Sequence, residues 1–60
     1  MFILVTLSSD GEQIILNANA VQTIEQSTTG SIIFFSAEDR IEVRESIEQL
    51  YDMLRKEHKK

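Results

Sequence analysis

The groups that do chemistry are few in this chain of 60 residues: one histidine, no cysteine, ten acids and six Lys or Arg. His58 stands near the C-terminus among lysines, where order is expected to be poor, and is read as a solvated side chain. Two pairs of carboxylates, Glu38-Asp39 and Glu45/Glu48, have the residue types of an acid and base couple. The first falls in a turn, and the second suits the start of a helix, where the positive end of the dipole favours acids. A serine, a histidine and an aspartate are all present, yet no serine has the strained strand-to-helix context of a nucleophile elbow. Gly11 and Gly30 are nineteen residues apart and each closes a turn, so they form no phosphate-cradling loop. A structural zinc site wants four Cys or His ligands. The expectation is a protein without catalytic residues, cofactor or metal.

The elements that would position any such group read as short strands followed by one helix. Residues 2–7 mix β-branched and large apolar side chains and stop at Ser8-Ser9-Asp10-Gly11, a hairpin tip. Residues 12–16 return, and Asn17-Ala18-Asn19-Ala20 breaks the pattern with turn-forming residues. A third strand at about 21–26 leads to the polar turn Ser27-Thr28-Thr29-Gly30, a fourth at 31–35 is the most apolar, and a fifth at 40–43 alternates polar and apolar. Ser46 then has the S-x-x-Q spacing of a capping box with Gln49. Ile47, Leu50, Tyr51 and Leu54 fall at i, i+3, i+4 and i+7 of a helix over about 46–57, one stripe that must lie on the sheet. The predicted class is α+β, mainly β, in a single domain: an antiparallel five-stranded meander, open or curled into a small barrel, with one C-terminal helix packed on it.

Such a chain buries only about 60% of its unfolded surface. Without disulfide or metal, self-association is the remaining source of extra burial. In Phe2-Ile3-Leu4-Val5 and Ile32-Ile33-Phe34-Phe35, successive side chains point to opposite faces, so both faces carry large hydrophobes and one helix covers one of them. Leu4, Val5, Ile33 and Phe35 are the candidates for the self-association surface, with a symmetric dimer as the default assembly. The sequence does not say which parity faces the helix.

Charge is uneven. Residues 1–54 hold Arg40 and Arg44 against nine acids, a balance of −7, whereas residues 55–60 balance at +3. Basic residues late in a helix suit its dipole, and the same tail is an alternative contact for an anionic membrane surface. The acidic body repels phosphates, so nucleic acid is not an expected partner, and the "IIFF" aromatics are read as core rather than as a base-stacking platform. No segment reaches the roughly 18 apolar residues of a membrane span, and "MFILVTL" has neither a basic segment before it nor a small-residue cleavage site. A cytoplasmic protein is expected.

The ordered stretches "LSSDGEQIILNANAVQTIEQ" and "GSIIFFSAEDRIEVRESIEQLYDML" together resemble the small FlbD-type flagellar and swarming motility proteins. The matching positions are Gly11, Leu16-Asn17-Ala18, Ile24-Glu25 and Val43-Arg44-Glu45-Ser46; at Ala37-Glu38-Asp39 the family more often has an Asn-Gly turn. The resemblance implies a bacterial cytoplasmic accessory protein that supports motility through protein contacts, with a protein of the flagellar motor among its partners, and no family catalytic residue to carry over. Two alternatives stand beside it: a phage or mobile-element regulator that binds nucleic acid or its machinery, and a small structural subunit of a larger assembly.

Overall fold

Gly11 supplies the positive φ of 77° that turns the first hairpin, a backbone region closed to most side chains. Around it Leu7 N–H donates to Glu12 O, Gly11 N–H to Leu7 O, and Glu12 N–H to Asp10 Oδ1. The computed structural model describes residues 1–58, with side-chain surroundings for 1–55. In it β1 (Phe2–Thr6) pairs with β2 (Gln13–Asn17), and β3 (Thr23–Gln26), β4 (Ser31–Phe34) and β5 (Arg40–Val43) form a second antiparallel sheet; α1 (Ile47–His58) follows. The class is α+β, mostly strand, as the sequence indicates. The bend at Asn17 is a single 3-10 turn over Ala18–Ala20, started by Asn17 Oδ1 accepting from Asn19 N–H. That turn takes up Val21, whose N–H donates to Ala18 O, so β3 begins later than residue 21.

The curled-barrel alternative is corrected: no barrel closes. Among the described residues, the backbone ladders of the two sheets join at the far end of β1, where Leu7 bridges Val43, Arg44 N–H donates to Thr6 O and Ser8 N–H to Glu42 O. β2 and β3 do not pair, so each remains the outer strand of its sheet.

Alternation then sorts the side chains. Ile3 and Val5 of β1, Leu16 of β2, Ile33 of β4, Val43 of β5 and Leu50 of α1 form the buried core, with Ile14, Val21, Ile24, Ile41, Met53 and Leu54 packed around it. The expected helical stripe is partly corrected. Leu50, Met53 and Leu54 face the core, α1 leans on β3, and Tyr51 stays largely exposed with the Arg55 guanidinium 5.9 Å from its ring centre. A spacing of three and four residues is met by both sets, so periodicity alone does not choose between them.

Candidate interaction surface

The segment Arg44-Glu45-Ser46 joins everything that positions the surface. β5 leaves β1 after Arg44, which would orphan the next N–H along the edge of β1. Glu45 replaces the lost strand: Thr6 N–H and Thr6 Oγ1 donate to its two carboxylate oxygens, both at 2.9 Å. The fully buried Ser31 hydroxyl donates to Glu45 O at 2.8 Å, tying β4 to the same residue. Ser46 N–H donates to Gln49 Oε1 (2.8 Å) and Gln49 N–H to Ser46 Oγ (3.1 Å), which is the reciprocal capping box and starts α1 at Ile47. Arg44 reaches the hairpin loop, donating to Ser8 O at 3.3 Å and lying against Gly11. Gly30 has no room for a side chain, because a Cβ there would overlap Val43 O.

Glu45 is therefore an anchor between β1 and β4, and Glu48 lies in the first turn of α1. Glu38-Asp39 sits in the β4–β5 turn, where Ser36 Oγ accepts from both backbone N–H groups. The side chain of His58 and the rest of the basic tail, residues 56–60, lie outside the described side chains. Among the described residues no three His, Asp or Glu gather as a metal site would require, and no helix is long and apolar enough to cross a membrane.

What stands out is one bare face. On the outer side of the first hairpin Phe2 is 66% exposed, Leu4 50% and Ile15 70%. The register places Leu4 directly opposite Ile15, and Phe2 follows two residues from Leu4 on the same side. Their companions on this face are Thr6, Gln13 and Asn17, none of them charged, and the Glu45 carboxylate meets its edge at Thr6 Oγ1. The three large side chains form one contiguous apolar patch, the kind of surface at which partners bind.

Of the four residues the sequence nominated, only Leu4 belongs to this face. Val5 and Ile33 have no exposed surface, a correction that follows from parity: they alternate with Leu4 and Ile32 and point into the core. Phe35 is half-buried against the core at the end of β4, its N–H donating to Asp39 O. Phe2 and Ile15 were missed. Phe2 was legible from its two-residue spacing to Leu4, but Ile15 needed the pairing register. No family model, curated protein or solved structure matches the sequence.

Proposed function

We propose that this protein is a non-enzymatic interaction module, a cytoplasmic accessory protein of flagellar and swarming motility of the kind its sequence resembles. The observation that carries the reading is the apolar outer face of the first hairpin, where Phe2, Leu4 and Ile15 lie open to solvent. Burying the exposed half to two-thirds of such side chains against a partner is worth about 1–2 kcal/mol each, whereas in the free protein they gain nothing from exposure. Of the acids with the right types for catalysis, Glu45 is an anchor, Glu38 and Asp39 lie in a turn and Glu48 lies in the first turn of α1, an arrangement that favours binding over chemistry.

Two experiments test it. Deleting the gene in a flagellated host is expected to impair swimming or swarming; unchanged motility would refute the motility role. Capture of host proteins by the tagged chain is expected to be lost in a Phe2→Glu, Leu4→Glu variant that keeps its fold. Retention of the same partners would place the contact elsewhere. The regulator alternative requires salt-sensitive binding of nucleic acid in an anisotropy assay at low ionic strength, and the acidic body predicts none.

A further inference from the structure

The bare face continues into an open strand edge, and that edge fits a second copy of the same chain. Leu7 N–H donates to Glu12 O at 2.8 Å and Ala18 N–H to Met1 O at 2.9 Å, so hydrogen-bonded pairs bracket the β1–β2 ladder at both ends. Such pairs alternate along an antiparallel ladder. In β2 the backbone groups aimed at β1 are therefore those of residues 12, 14, 16 and 18; the N–H and C=O of Gln13 and Ile15 and the N–H of Asn17 turn to the opposite edge, while the Asn17 C=O starts the 3-10 turn. Among the described residues no strand pairs with that edge and no side chain bonds to those groups. Natural edge strands are commonly guarded by charge or proline; β2 reads Gln-Ile-Ile-Leu-Asn and has neither.

We propose that two copies join through β2 in an antiparallel, two-fold pairing centred on Ile15, making a continuous four-stranded sheet β1-β2-β2-β1. The geometry of the strand supports this register. An axis at Ile15 sets Gln13 opposite Asn17 of the partner, Ile14 opposite Leu16, and Ile15 opposite its own copy. The side chains of each opposed pair lie on the same face, so inner aliphatics stay inside and outer ones stay outside. Gln13, Ile15 and Asn17, whose N–H groups point outward, fall at the hydrogen-bonded positions of the new ladder. The two bare faces, each with Phe2, Leu4 and Ile15, merge into one.

Charge favours this edge over the other. A two-fold axis sets the residues nearest to it beside their own copies, so a charge at the centre of the pairing strand meets its like. β2 has none, whereas the other outer strand, β3, carries Glu25 on its outward face. The contact is one five-residue strand and a few side chains, smaller than the roughly 1,600 Å² of a standard interface, and such areas belong to weak, concentration-dependent complexes. A dimer that forms with rising concentration is expected, rather than an obligate one.

This inference rests on the reading of the protein as an interaction module and names one partner for it. Sedimentation equilibrium over a hundredfold range of concentration should show a shift from monomer to dimer mass. Ile15→Lys, which sets two cations opposite each other, should raise the dissociation constant by at least about tenfold, with the far-UV circular dichroism retained. Glu25→Gln on β3 should leave it unchanged.

Single cysteines fix the register, since the chain has none of its own. Opposed Cα atoms about 5.5 Å apart lie within the roughly 4.4–6.8 Å that a disulfide spans. Under mild oxidation with diamide, Ile15→Cys should cross-link to itself. Gln13→Cys should not, because its two copies are more than about 13 Å apart along the strands, but it should cross-link to Asn17→Cys when the two variants are mixed. A folded chain that stays monomeric throughout overturns the proposal, as does a dimer in which Leu4→Cys cross-links to itself and Ile15→Cys does not. A monomer that still captures a host protein through Phe2 and Leu4 sinks the pairing and leaves the interaction module standing.

Discussion

Both sheets turn large apolar side chains outward, but they treat them differently. On the three-stranded sheet Ile32 and Phe34 are half-buried. Glu25 and Glu42 stand opposite Ile32 on its two neighbouring strands, and Arg40 stands opposite Phe34 with its guanidinium 5.8 Å from the ring centre. Long charged side chains lay their apolar stems over a hydrophobic surface and keep the charge in water. The first hairpin has no such cover: Phe2, Leu4 and Ile15 are flanked by Thr6, Gln13 and Asn17, which are uncharged. The difference teaches that an outward hydrophobe is not in itself a binding site. Its cross-strand neighbours decide whether it is shielded within the monomer or left for a partner.

The comparison depends on the two sheets sharing one core, and the largest expected effect comes from breaking that. Leu50 of α1 is fully buried among residues of both sheets, so Leu50→Ala should cost about 2–5 kcal/mol, enough to leave so small a domain largely unfolded, as a thermal melt would show. If the variant melts like the parent, α1 is not what seals the core. Glu45→Ala should come next. It removes two charge-assisted hydrogen bonds to Thr6, each worth roughly 1.5–3 kcal/mol where fully formed; with Glu45 only half-buried, the lower end of that range is expected. Hydrogen exchange should then accelerate in Phe2–Thr6 before Ser31–Phe34, because the hairpin is what Glu45 holds. Equal acceleration in both would mean that the hairpin is not separately anchored.

Smaller effects sharpen the contrast. Ser46→Ala removes the N-cap and half of the capping box, a loss of about 0.5–2 kcal/mol readable in the melting temperature, while the outer faces of both sheets stay as they are. Arg40→Ala is the smallest. It withdraws the cation over Phe34 at a stability cost of about 0.5–1 kcal/mol, yet it should give the second sheet a bare aromatic like that of the first. Binding of a hydrophobic dye at the native state should increase. No increase would show that Arg40 is not what covers this face.

Much of the fold was legible because its signals are local. Asp10-Gly11, Asn17 and Gly30 mark turns by backbone preference, and Ser46 with Gln49 marks a helix start by reciprocal hydrogen bonding over three residues. The strand boundaries moved where a local structure intervened, as with the 3-10 turn that delays β3. The helical stripe misled at Tyr51, since Met53 satisfies the same spacing and packs against the core instead.

The site was less legible, for a reason of distance. Alternation by itself put Phe2 and Leu4 on one face and Ile3 and Val5 on the other, and put Ile33 opposite Ile32 and Phe34 in direction. It could not say which set was inside, because a strand apolar on both sides has no preferred face until something covers one of them. That choice was made by residues far along the chain: Leu50 closes the core from α1, and Glu45 fastens Thr6 across thirty-nine positions. The sequence alone determined the strands, the turns, the cap and the presence of surplus apolar surface. Only the tertiary structure decided that the surplus lies on the first hairpin, since exposure is a property of what packs nearby and not of the residue that is exposed.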